Sequence, residues 1–372
     1  MKKFVVTPWE VKGEVDYNKL IAEFGTEKIT DALIGRMMKH TKEVHYMIRR
    51  KIFFSHRDMG WLLDEYEKGN GFFLYTGRGP SGNTHLGHLV PWIFTKWLQE
   101  KFGAELWFQM TDDEKFLFKQ DLSLEDANSL AYENALDVIA LGFDPKKTFI
   151  FSDIDYAKTL YREAIKVAKK LTFSTAKAVF GFSNDTNVGQ VFFTSMQSVP
   201  AFLPSAIRGK NIPCLIPHAI DQDAHFRVCR DILPRLGYFK PAAVHCRFLP
   251  ALTGPAGKMS ASDKSTAVYT TDTEEEVRKK IMKYAFSGGR ETVKEHREKG
   301  GNPDIDVSYQ WLAFFEEDDR KLEDIYNMYK AGELLTGELK QILIDKITSF
   351  LREHQRKREL ARKTIDKFIL KD

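Results

Sequence analysis

The run Tyr75-Thr-Gly-Arg-Gly-Pro-Ser-Gly-Asn-Thr-His-Leu-Gly-His88 decides the reading of the fold. It overlaps an apolar stretch, Phe72-Phe-Leu-Tyr-Thr76, bounded by glycines and of the length of a buried strand. The chain then turns through three glycines and enters a helical pattern from about Leu86 to Phe102, closed by Gly103. Glu105-Leu-Trp-Phe-Gln-Met110 is the next strand. Strand, helix and strand in this space form a βαβ unit, which implies a parallel sheet.

The pattern continues on both sides. Residues 1–67 read as a helical preface, with Ser55 as the N-cap of a helix from about His56 to Glu67 and Gly69-Asn-Gly71 as its stop. Ser123-Leu-Glu-Asp126 is a capping box opening a helix to about Leu141. Thr148-Phe-Ile-Phe-Ser152 is a strand, 156–171 a helix, and the stretch to about Asn211 is less regular. Residues 213–216 form a strand leading through Ala219-Ile-Asp-Gln-Asp223 into a helix ending near Leu236. Residues 243–249 give the last core strand, and Thr253-Gly-Pro-Ala-Gly257 a flexible loop. Thr271-Asp-Thr-Glu-Glu-Glu276 opens a helix, and the tail from Tyr309 is nearly all helical pattern. The expected fold is α/β: a doubly wound, Rossmann-like parallel sheet over 68–270, interrupted by an insertion over 112–211, then an all-helical domain over 271–372. There is no internal repeat.

At 372 residues the chain has room for two or three domains and a sizeable core. Hydrophobic residues at 43% and charged residues at 29% are an ordinary soluble balance. No apolar run approaches the roughly 20 residues that span a bilayer, so no membrane role is expected. The opening Met1-Lys-Lys-Phe-Val-Val is too short for a signal peptide. Cys214, Cys229 and Cys246 are scattered and odd in number, against a disulfide framework or a zinc knuckle, so a reduced, cytoplasmic protein is expected. A net charge of +4 permits an RNA partner without demanding one.

Two short elements carry chemistry. Gly77-Arg-Gly-Pro-Ser-Gly82 matches the dinucleotide pattern G-x-G-x-x-G, which would make the chain a nicotinamide-dependent oxidoreductase. Pro80, however, has no N–H where phosphate needs donors, and the helix opens too late for the third glycine. His85-Leu-Gly-His88 fits a nucleotide better. A helix N-terminus offers N–H groups and a positive dipole end, Gly87 lets a flat base approach, and two imidazoles can donate to phosphate oxygens. Two ordinary histidines capping a helix would look the same, and a zinc site lacks a third ligand. Gly257-Lys-Met-Ser-Ala-Ser-Asp263 places Lys258 on a glycine-flanked loop, suited to a transferred or departing phosphate. Alone it would be a solvated turn.

In this order the two elements resemble the paired signatures of class I aminoacyl-tRNA synthetases. Nearly the whole chain resembles the archaeal/eukaryal tryptophanyl-tRNA synthetase family. The resemblance is carried by residues 72–80, Phe94-Thr-Lys-Trp-Leu-Gln, Gln109-Met-Thr-Asp-Asp-Glu-Lys, Ala219-Ile-Asp-Gln-Asp, Lys258-Met-Ser-Ala-Ser-Asp, Ala285-Phe-Ser-Gly-Gly-Arg and Leu335-Thr-Gly-Glu-Leu-Lys. Phe53-Phe-Ser-His-Arg-Asp58 belongs with them. It is not a kinase catalytic loop, since the required Asn is Leu63 and no Asp-Phe-Gly follows. The second signature has Ala261 where the general pattern has a second lysine, which leaves Lys258 as its main cation, with Lys264 near enough to assist.

The resemblance implies ATP-dependent activation of tryptophan and transfer to the 3′ end of tRNA(Trp), with the 2′-hydroxyl as acceptor. It implies ATP as substrate, Mg²⁺ as its companion and a homodimer built on the insertion. By this likeness Tyr75 and Gln109 meet the indole N–H, and Glu114 and Gln197 hold the ammonium. Gln222 lies between amino acid and ATP. His85, His88 and Lys258 are the catalytic phosphate contacts. Arg78, Gly87, Asp221, Met259, Ser260 and Ser262 complete the ATP site, and no protein-bound metal is expected. The helical C-terminal part would read the anticodon, although 352–372, with eight basic and four acidic residues, reads by pattern alone as a solvated helix face. Tyrosyl-tRNA synthetase, the same fold with a phenol pocket, and a non-catalytic RNA-binding relative remain as alternatives.

Overall fold

The computed structural model describes residues 5–6, 11–13, 15–259 and 267–372. Its centre is an eight-stranded sheet built, in chain order, from β1 (Glu27–Lys28), β2 (Phe53–Arg57), β3 (Phe73–Arg78), β4 (Glu105–Met110), β5 (Thr148–Ser152), β6 (Cys214–Ala219), β7 (Ala242–Cys246) and β8 (Ile369–Leu370). In space the order is β8-β5-β4-β3-β6-β7-β2-β1. Neighbours from β8 to β7 run parallel, while β2 and β1 lie antiparallel at the far edge. The run β5-β4-β3 goes one way from the centre and β6-β7 the other, so the strand order reverses between β3 and β6. That is the doubly wound arrangement, and such a switch point opens a crevice beyond the strands' carboxyl ends.

Strands of this sheet are apolar on both faces because both faces are covered. Phe73 and Tyr75 of β3 and Trp107 of β4 turn to one core. Leu74, Leu106 and Phe108 turn to the other. On that second side lies α1 (Leu86–Phe102), which buries Leu86, Leu89, Trp92, Phe94 and Leu98. After β4 come α2 (Asp112–Phe118) and α3 (Leu124–Ala140), the latter capped by Ser123, whose Oγ accepts from the Asp126 N–H at 3.0 Å. Helix α4 (Val188–Met196) closes over the first core, and α5 (Asp223–Ile232) leaves β6 through one 3₁₀ turn. The C-terminal helices culminate in the long α6 (Thr336–Arg362), which shares the α1 core through Leu339, Leu343 and Ile347.

Several sequence expectations need correction. The preface is not only helical: β1 and β2 join the main sheet. Ser55 is no N-cap; it is buried in β2, bonded to His245 Nδ1 at 2.9 Å. The helix there runs Met59–Glu67. The span 112–211, expected as an insertion, supplies β5 to the sheet and α3 to its flank. Residues 254–258, expected as a loop, form a strand paired antiparallel with Pro250–Ala251. The final strand β8 lies in the tail expected to be helical throughout.

Candidate active site

A cavity of about 370 Å³ lies at the carboxyl ends of β3, β4, β6 and β7, across the switch point. Its wall contains Tyr75, Arg78, His85, Gly87, His88, Glu114, Gln197, Asp221, Gln222 and Met259. Of the site residues expected from the sequence, Gln109 is one layer back, wholly buried behind Tyr75. Lys258 ends the strand Gly254–Lys258, but its side chain, with Ser260 and Ser262, lies outside the described residues.

The two histidines open α1. His85 is the N-cap with extended backbone, and its N–H donates to His88 Nδ1 at 3.1 Å. The rings stack with centroids 3.5 Å apart, and the His88 ring continues onto Trp92. A Cβ on Gly87 would sit 3.1 Å from the His85 ring, so glycine keeps the ring against the helix turn. The chain leaving the second signature pins this corner. Leu86 N–H donates to the Val268 carbonyl at 3.0 Å, and Thr270 N–H to the Thr84 carbonyl at 2.9 Å. Arg78, at the end of β3, donates through Nε to Asn134 at 3.2 Å, while its Nη2 has no hydrogen-bond partner among the described residues. Burial lowers its pKa to about 10, leaving it charged at neutral pH.

A second group of side chains forms a flat aromatic slot with a polar end. The Phe226 ring meets Tyr75 edge-on at 5.7 Å and His218 at 4.6 Å. The Tyr75 hydroxyl donates to Gln109 Oε1 at 2.6 Å and accepts from Gln197 Nε2 at 2.6 Å. Gln109 Nε2 in turn lies 2.9 Å from both carboxylate oxygens of Asp153. Burial raises Asp153 and its hydrogen-bonded neighbour Asp113 above the ordinary carboxylate range, and burial pushes His218 down to about 3, so that ring is neutral.

Glu114 sits on α2 between these groups. Thr111 Oγ1 donates to its Oε2 at 2.7 Å and Lys115 Nζ to its Oε1 at 2.6 Å. Burial would raise its pKa, but these partners outweigh burial and hold the carboxylate ionised. Lys115 crosses directly over Gly79, where a Cβ would come within 2.1 Å of Cε and 2.8 Å of Glu114 Oε2. A side chain there would push Lys115 off Glu114, so the second glycine of the turn has a role that needs no dinucleotide. Gly82 lies before the helix opening at Leu86, so the dinucleotide geometry is not built here.

The sequence reading missed Phe226, His218, Lys115 and Asp153. Phe226 was accessible as an apolar residue on the helix after Ala219-Ile-Asp-Gln-Asp. The others depend on tertiary pairing and leave no local signal. Among the described residues, His218, Asp223 and His245 form a buried group of possible metal ligands. Asp223 is already held by Arg57, with Nε and Nη2 each at 2.8 Å. Two imidazoles with one carboxylate do not fit Mg²⁺, a hard cation that wants oxygen.

The slot, with a carboxylate beside it, opens onto a helix N-terminus carrying two histidines at a doubly wound switch point, the place where such sheets bind nucleotides. The chain matches the model of the class I tRNA synthetases (W and Y) over residues 67–352, and it belongs to that family. Within it, the chain is 54% identical over 367 residues to the tryptophan–tRNA ligase of Sulfolobus acidocaldarius, covering 98% of this chain and 95% of that one. The tryptophanyl-tRNA synthetase of Plasmodium falciparum superposes with a TM-score of 0.88 at 48% identity, over 93% of this chain and 94% of the other. That of Encephalitozoon cuniculi, bound to tryptophan, superposes with a TM-score of 0.88 at 40% identity, over 97% and 99%.

Proposed function

We propose that the chain activates L-tryptophan with ATP, forming tryptophanyl-adenylate and pyrophosphate, and then charges the 3′ end of tRNA(Trp). The observation that carries this is the Tyr75–Gln197–Phe226 slot beside ionised Glu114, facing the His85–His88 helix end in one cavity. Indole is a large apolar plate with one N–H donor, and the slot offers aromatic walls with a hydroxyl at its end. Glu114 and Gln197 are suited to the substrate ammonium. The tryptophan carboxylate then attacks the α-phosphorus in line, with pyrophosphate leaving opposite. The protein positions the reactants and stabilises charge, with no covalent nucleophile of its own. His85, His88, Arg78 and Lys258 would meet the phosphate oxygens. Gly87, Met259, Ser260 and Ser262 would frame the nucleotide, Asp221 would accept from its ribose, and Gln222 would touch both substrates.

Mg²⁺ would travel on the triphosphate, and no step here depends on a protein-bound ion. The remaining parts of the reading are a homodimer formed through 112–211, anticodon contact by 271–372, and a cytoplasmic location. No helix among the described residues is long and apolar enough to cross a membrane. The test is charging of tRNA(Trp) with labelled tryptophan, alongside Lys258→Ala. That variant should slow adenylate formation by about 10²–10³-fold while leaving tryptophan affinity nearly unchanged. Equal losses in both would contradict the phosphate role.

A further inference from the structure

Asp153 lies at the end of β5, outside the cavity, its N–H bonded to the Met110 carbonyl at 3.1 Å. No step above uses it. Both of its carboxylate oxygens lie 2.9 Å from Gln109 Nε2. That contact decides which way the buried amide points. The one proton of this raised carboxyl is engaged with Asp113, so turning the amide over would set its oxygen against acceptor oxygens, and Oε1 is held toward Tyr75, 2.6 Å away. An amide oxygen only accepts, so the tyrosine hydroxyl must give its proton inward. The Gln197 backbone carbonyl at 3.2 Å is a second inward acceptor for the same proton. Gln197 Nε2 occupies part of the hydroxyl's acceptor capacity at 2.6 Å. What remains toward the cavity is lone pair.

We infer that Asp153 is a positioning residue that fixes the direction of the Gln109–Tyr75–Gln197 hydrogen-bond chain, so that the tyrosine hydroxyl presents an acceptor to the substrate. This rests on the reading that the indole N–H is received at Tyr75. Without Asp153 only the longer bond from Gln197 Nε2, 3.3 Å, still favours this orientation, and the Gln109 amide can turn and offer its NH₂ to Tyr75. The hydroxyl proton would then face the cavity and oppose an incoming N–H. Selection for a donor on the substrate ring is thus set by a carboxylate that never touches the substrate.

The test compares equilibrium binding of tryptophan with its benzothienyl analogue, in which sulfur replaces the indole N–H at nearly equal shape. The wild-type protein should prefer tryptophan by at least about tenfold. Asp153→Ala should remove most of that preference by weakening tryptophan alone, leaving the analogue within about twofold. Asp153→Asn, whose amide oxygen still accepts from Gln109, should keep the preference. If the alanine variant does not fold, Asp153→Ser, whose hydroxyl falls short of the amide, carries the same expectation. A variant that loses both ligands equally shows a merely structural role and overturns the inference, as does an undiminished preference. A wild-type protein that binds both ligands equally overturns instead the reading that the indole N–H is received at Tyr75.

Discussion

Asp113 stands in the first turn of α2 beside Asp112, Glu114 and Asp153, and burial holds its carboxyl above the ordinary carboxylate range. A carboxyl held up in this way contributes its full stability below about pH 4, where the unfolded chain is protonated too. That contribution is lost as pH rises through the raised value. Asp113→Asn keeps a neutral side chain at every pH, so the wild-type protein should lose stability relative to this variant between about pH 4 and pH 8. Glu114 and Asp223 are shifted down and slope the other way, but they are common to both proteins. Urea midpoints across that range check this; parallel profiles would contradict it. At this scale the site was legible wherever its residues fall in compact blocks. Tyr75, Arg78, His85, Gly87 and His88 come from one strand–turn–helix, and Asp221 and Gln222 from one turn. Asp153 was invisible, because its partner Gln109 sits on another strand and only the sheet register brings them together.

Elements were legible in proportion to how far local pattern decides them. Strands β4 and β5 and helix α1 have the ends the sequence suggests, because each is a long apolar run closed by glycine or a polar turn. Strand β2 misled, since Ser55 followed by a helical pattern imitates a cap. The true helix begins after Asp58 in a left-handed conformation, φ 52°, with no side-chain cap bond. What holds β2 is tertiary. Arg57 at its end bridges Asp223 of α5, a carboxylate with no solvent exposure, and also donates to the carbonyls of Phe24 and Gly25. Burial alone would raise Asp223, but Arg57 and His245 hold it below the usual range. Removing the cation leaves a buried charge short of its main partner, so Arg57→Ala should destabilise the fold by about 3–5 kcal/mol in denaturant titration. A loss under about 1 kcal/mol would mean that Arg227 and His245 suffice.

The whole molecule is tied together from its C-terminal end. In α6, His354 bonds Asp137 at 3.0 Å, and Arg358 and Arg362 reach Glu133 at 2.9 and 2.6 Å, all on α3. Gln355 donates to the carbonyls of Thr270 and Asp272, beside the segment that pins His85. Arg356 and Lys357 pair with Glu353, and Arg352 with Glu274. The basic tail is therefore partly a clamp on α3, not only the solvated face its pattern suggests. That difference was unreadable because it depends on acids more than 200 residues earlier in the chain. A C-terminal part joined to the central sheet by β8 and by a shared core makes one framework around the cavity. Activation of tryptophan in this cavity is read out by amino-acid-dependent exchange of pyrophosphate into ATP, with tryptophan and tyrosine run in parallel in the presence of Mg²⁺. Exchange with tryptophan and not with tyrosine is the predicted result. Exchange with tyrosine, or none with either from folded protein, would contradict it.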